Sequence, residues 1–178
     1  METTAVYWEP KIRTYGFQLD TDLSLLKIDI DLAKLNLYES LLEALGETGI
    51  KFSLVFGQIQ DNNILSIFLA LKGSSGIGLI DLINQDSNIG VFKCSIIAYP
   101  VDMISFQGPH YGDRYGIAYA AFSKLKSSGV SIIASCCSVS CIYAVLEKGT
   151  GASARDILLD SFEVPKKNGS RKTTLKNR

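Results

Sequence analysis

Between Ser24 and Ile30 apolar and polar residues come to alternate, which predicts a half-buried strand. From Ala33 to Thr48 the period changes. Leu35, Tyr38, Leu41, Leu42 and Leu45 recur three and four residues apart, one apolar stripe on a helix, and Gly49 supplies a left-handed stop. Ile50 to Ile59 and Ile64 to Leu71 read as the strands of a hairpin turning at Asp61-Asn62-Asn63. A second helix is predicted from Ser75 to Asn84, on Ile77, Ile80, Leu82 and Ile83. A strand from Val91 to Tyr99 closes the set at Pro100.

The same order then begins again. Asp102 to Phe106 reads as a strand, Gln107 to Arg114 as a loop, and Tyr115 to Ser127 as a helix carrying Ile117, Ala121, Phe122 and Leu125. Strands follow at Val130 to Cys136 and Ser140 to Leu146, then a helix from Ala152 to Phe162. The last strand is expected to start near Phe162 and to be very short or supplied from elsewhere. The repetition extends to residues. Leu42, Leu45, Gly49, Ile50 and Phe52 match Phe122, Leu125, Gly129, Val130 and Ile132 at a constant offset of 80. That period is too long for a solenoid repeat and suits one βαββαβ unit.

The expected fold class is therefore α+β: two tandem ferredoxin-like βαββαβ units with helices on one face of antiparallel sheets. The expected division is an N-terminal segment (1–19), a first unit (20–99), a second unit (100–165) and a basic tail (166–178). The strands at 50–59 and 131–141 are apolar on both parities, and their edges call for cover or pairing. Either a homodimer or a continuous sheet joining the two units would supply it.

Charge changes the picture at one end only. The chain has 18 basic and 18 acidic residues, but six of the basic ones lie in the tail, leaving a body of net charge −6. The tail's Asn, Gly, Ser and Thr content reads as a solvated, disordered end, which makes nucleic acid an improbable partner. The N-terminus lacks the basic start and apolar run of a signal peptide. Ser127 to Leu146 carries no charge over twenty residues, yet seven are serine or glycine, so two strands fit it better than a membrane span. A cytoplasmic location is expected, with Cys94, Cys136, Cys137 and Cys141 as reduced thiols. Cys136 and Cys137, adjacent in a strand, should point to opposite faces.

The candidate chemistry gathers in one loop. Gly108, Gly112 and Gly116 between a strand and a helix would let a small ligand approach the backbone. Free N–H groups in the first helical turn favour an anion there, and Asp113 is a candidate N-cap or acceptor for an ammonium group. His110, the single histidine, has no partner spacing for catalysis or metal binding, so it reads as a loop residue. No phosphate-binding, nucleophile-elbow or dinucleotide motif is present. Neither a cofactor nor a metal is expected.

Phe106-Gln107-Gly108-Pro109, Asp113, Gly116-Ile117, Phe122, Leu125 and Gly129-Val130-Ser131-Ile132 together resemble the ACT domains of aspartate kinases. The resemblance implies a regulatory role without the kinase domain. The implied ligand is an amino acid at the strand-to-helix junction, facing a neighbouring unit. Its expected site is Gln107, Gly108, Pro109, His110, Tyr111, Gly112, Asp113, Arg114, Tyr115, Gly116 and Ile117, with Ile133 and Ser135 from a facing strand. A homodimer and a separate enzyme partner are expected with it. The chain departs from the family where Cys136-Cys137-Ser138 replaces small hydroxyl residues and Val139 an acidic one. The first unit has Asp29 to Lys34 in place of a glycine loop, so its pocket is expected to be degenerate. An interaction subunit without a ligand is the alternative reading.

Overall fold

The alternation that begins the first unit reaches further back than Ser24. In the computed structural model, described for residues 11–60, 62–73, 75–85, 92–109 and 111–165, it belongs to one strand of 16 residues. The order is β1 (Ile12–Arg13), β2 (Gly16–Asp31), a 3-10 segment (Leu32–Leu37), α1 (Tyr38–Glu47), β3 (Phe52–Ile59) and β4 (Ile64–Lys72). There follow α2 (Ser75–Gln85), β5 (Lys93–Gln107), α3 (Ile117–Ser127), β6 (Ile132–Cys137), β7 (Cys141–Glu147), α4 (Gly151–Leu159) and β8 (Phe162–Glu163). His110, the aromatic stretch Tyr7-Trp8-Glu9-Pro10 and the tail from Lys166 lie outside the described residues.

Six strands form one antiparallel sheet in the order β3-β4-β2-β5-β7-β6. Strands β2 and β5 are long because each serves both units. Leu23 to Asp31 of β2 pair with β4, whereas Gly16 to Asp20 pair with Met103 to Gln107 in the second half of β5. The register shifts between Asp20 and Leu26, beside a left-handed Asp22 at φ +56°. Irregularities of this kind increase local twist and re-aim a strand. The first unit is thus β3-β4-β2-β5 and the second β6-β7-β5-β2.

This arrangement answers where the second unit finds its fourth strand. It comes from Gly16 to Asp20, ahead of the first unit in sequence, while the two-residue β8 pairs in parallel with β1. The boundaries expected after residues 19 and 99 fall inside β2 and β5. Pro100 does not divide two strands: β5 runs through it, with a cis Tyr99–Pro100 bond.

Strand alternation sorts the side chains into three clusters. Leu26, Ile28 and Ile30 of β2 pack with Leu41 and Leu45 of α1 and Leu79 and Ile83 of α2. Ile104 and Phe106 of β5 pack with Ala121 and Leu125 of α3 and Ala154 and Leu158 of α4. The opposite parity, Leu23, Leu25, Val101 and Met103, joins Leu54, Ala70 and Val145 in a third cluster that contains no helix residue. The helix-free faces of the two units therefore cover one another. On the edge strands this covers Leu54, Phe56, Ile133 and Ala134, while Val55 and Ile59 stay exposed. The two units share one continuous sheet, as expected, with β3 and β6 at its edges. No helix among the described residues is long and apolar enough to cross a membrane.

Candidate functional site

Residues far apart in sequence hold the loop between β5 and α3. The Gln107 carbonyl accepts from the Tyr15 N–H at 2.8 Å and from the Thr14 hydroxyl at 2.6 Å. Gly108 is buried, and a Cβ there would collide with the Arg13 carbonyl oxygen and the Tyr111 ring. Glycine is needed because the chain itself approaches this closely. The approach at Gly108 is made by the Arg13 backbone of the same chain. Pro109 is half-buried beside it.

Tyr111 anchors the loop inward. Its ring meets Phe106 edge-on at 6.2 Å, next to the Phe17, Phe106 and Phe162 cluster. Its hydroxyl is buried and no described atom meets it at full hydrogen-bond geometry. Burial pushes the phenol pKa up, against a smaller opposing influence from the Thr14 hydroxyl. A Cβ at Gly112 would lie 2.8 Å from Val139 Cγ1, so this glycine permits contact with the β6–β7 turn.

The helix start differs between the units. Helix α3 begins at Ile117, two residues later than expected, and its N-cap is Gly116 at φ +83°. Glycine adopts that left-handed value without strain. It brings no side chain, so the capping position expected of Asp113 belongs to Gly116 instead. Asp113 is exposed, and Arg114 half-buried; both engage neighbouring groups. Tyr115 is wholly exposed and Tyr119 is 77% exposed on either side of the helix start, while Ile117 is buried beneath it. In the first unit Asp31 caps the 3-10 segment, its Oδ1 accepting from the Ala33 N–H at 2.9 Å.

Ile133 packs against the third cluster and Ser135 is exposed on β6. Neither is brought to the loop by an observed contact. A separate cleft of about 480 Å³ opens at the mouth of the helix-free faces, and it takes only Gln107 from the expected residues. Tyr15, Gln18, Asp20, Ser53, Ser105, Cys141 and Tyr143 line it as well. No local sequence signal marks these side chains, because strand register over ninety residues assembles them. Two apolar grooves repeat at the offset of 80. One, of about 350 Å³, holds Leu42, Gly46, Ile50 and Phe52; the other, of about 450 Å³, holds Phe122, Lys126, Val130 and Ile132.

The cysteines are free among the described residues. Burial raises the Cys94 thiol to about 11. Burial also raises Cys136 and Cys137, with the Cys141 thiol adding to both. Raised values disfavour the thiolate that a nucleophile needs. Cys137 is exposed and Cys136 half-buried, as opposite faces of one strand require. No group of His, Cys, Asp and Glu among the described residues could hold a metal.

No protein-family model and no curated protein matches the chain. Solved structures do. The regulatory subunit of aspartate kinase from Thermus flavus superposes with a TM-score of 0.70 at 14% identity, covering 83% of this chain and 97% of that one. The regulatory subunit from Thermus thermophilus gives 0.69 at 15% identity, over 84% and 99%. Aspartate kinase from Synechocystis gives 0.72 at 16% identity, over 98% of this chain and 30% of the kinase. The chain has the tandem ACT-type fold of the regulatory region of aspartate kinases.

Proposed function

We propose that the protein is a non-catalytic regulatory module that binds an amino acid or a similarly small metabolite at the Gly112–Ile117 strip of its second unit. The observation that carries this reading is the difference between the two helix starts. In the first unit the Asp31 carboxylate already occupies the anion position at the N–H groups. In the second, Gly116 leaves that position without a side chain from the cap. A ligand carboxylate meets the N–H groups at the start of α3, Asp113 accepts from its ammonium group, and Tyr115 and Tyr119 flank it. Among proteins of this fold, aspartokinase III of E. coli has been solved in complex with lysine and aspartate.

The module acts by passing its occupancy to a separate enzyme, as a cytoplasmic homodimer in which a neighbouring unit closes the exposed strip. A thermal-shift screen of the twenty amino acids tests it, since a ligand specific for the native state raises apparent stability by mass action. A saturable shift with one amino acid supports the reading; twenty flat responses overturn it.

One observation favours a second reading, an interaction subunit without a ligand. The chain's own Arg13 backbone covers Gly108, while strands β3 and β6 stand at the sheet edges beside the repeated apolar grooves. Flat amino-acid responses together with a stable stoichiometric complex in cells would favour it.

A further inference from the structure

We infer that the cleft between the helix-free faces is a second binding site, specific for a small organic amine. On these faces the side chains change character along β5, from buried and apolar to polar. Val101 belongs to the apolar cluster, Met103 to both the cluster and the cleft wall, and Ser105 and Gln107, next on the same face, line the cleft. Ser53 of the first unit closes it from the other side. The site therefore exists only because the two units fold over one another.

Its chemistry selects a cation. Asp20 is the one charged residue in the lining, and its Oδ2 has the Gln18 amide, at 3.1 Å, as its hydrogen-bond donor. No Lys or Arg lines the cleft, so a ligand carboxylate would meet like charge without an opposing partner. Tyr15 and Tyr143 add aromatic rings, whose faces attract ammonium groups. The hydroxyls of Ser53 and Ser105 and the Gln107 side chain make no hydrogen bond among the described residues, which leaves their polar atoms to a guest. A volume of about 480 Å³ suits a small molecule. The inference does not depend on amino-acid binding at α3.

Tyramine, its neutral alcohol analogue tyrosol, and tyrosine are the probes, titrated calorimetrically into the full chain. They share a phenol and differ in the charges at the other end. Tyramine is expected to bind at least about tenfold more tightly than the other two. Asp20→Asn is expected to remove that preference, and Ser53→Leu to abolish tyramine binding by filling the cleft while keeping the carboxylate. Any response to an amino acid at α3 stays unchanged in both variants. Equal affinity for tyramine and tyrosol, or wild-type tyramine binding by Ser53→Leu, overturns the site even if Asp20→Asn does not fold.

Discussion

The Asp102 carboxylate accepts the Gly151 N–H at 3.1 Å, and a Cβ on Gly151 would sit 3.1 Å from that same oxygen. The same Oδ2 also accepts the Gly149 N–H at 2.9 Å, and Asp102 is 3% exposed. One buried side chain at the entry to the second unit's first strand thus holds the start of α4. In the first unit Ser24 stands in the corresponding place, donating to the Gly73 carbonyl at 2.6 Å, with Gly76 packed on it.

Gly151→Ala is expected to lose about 1–3 kcal/mol of stability, because the added methyl meets Leu19 and Asp102 together. Asp102→Ala should lose a similar amount by leaving two N–H groups without their acceptor, about 1–3 kcal/mol. Urea unfolding measures both. The double variant should lose less than the sum, since the two changes act on one contact.

The two helix starts should respond oppositely to substitution. Asp31→Ala removes a cap, at about 1 kcal/mol, and leaves ligand affinity unchanged. Asp113→Ala should weaken binding of the amino acid identified by the screen about tenfold to a hundredfold with little change in melting temperature. Isothermal titration of both variants reads the contrast, and equal affinity for Asp113→Ala and wild type sinks the Gly112–Ile117 site.

Gly116 has open space where a Cβ would stand, so its substitution carries a conformational penalty only. Gly116→Ala at φ +83° should lose about 1–2 kcal/mol. Gly116→Asn should lose less, because asparagine visits the left-handed region more readily. Equal melting temperatures for the two variants would contradict the backbone account.

Cys94 gives a pH dependence of known sign. Its folded pKa is raised from 9.0 to about 11, so the folded state holds the proton that the unfolded chain releases first. The stabilisation is complete below about pH 9 and is lost as pH rises through 11. Melting curves from pH 8 to 11.5 should fall more steeply for wild type than for Cys94→Ala. Parallel curves would show that other groups account for the decline.

Thr14→Val should lose about 1 kcal/mol, by removing the hydroxyl donor to the Gln107 carbonyl. The loss should appear as faster amide exchange at β1 and β8 before it appears in α1 or β3, since β1 pairs only with β8.

Much of the architecture was legible in the chain. Leu41 and Leu45 lie on the buried side of α1, as their spacing indicates, and Ala121 and Leu125 do the same in α3. The 80-residue offset marked the repeat, and the repeat implied the βαββαβ unit. Periodicity records which side of an element meets the core, and it does so within a dozen residues. The glycines of the loop were also visible, and Gly116 holds the left-handed position that such a glycine serves.

Local pattern does not record which distant backbone comes close. The sequence by itself determined two units, their helices and the irregular glycine loop. Only the tertiary structure decided that Gly16 to Asp20 complete the second unit, that Arg13 closes over Gly108, and that Asp20, Ser53 and Tyr143 share one cleft. Each of these depends on strand pairing and side-chain packing across tens of residues. An alternating strand such as β2 carries the same period whichever neighbour it takes, so its division between two partners appears only when both units are assembled.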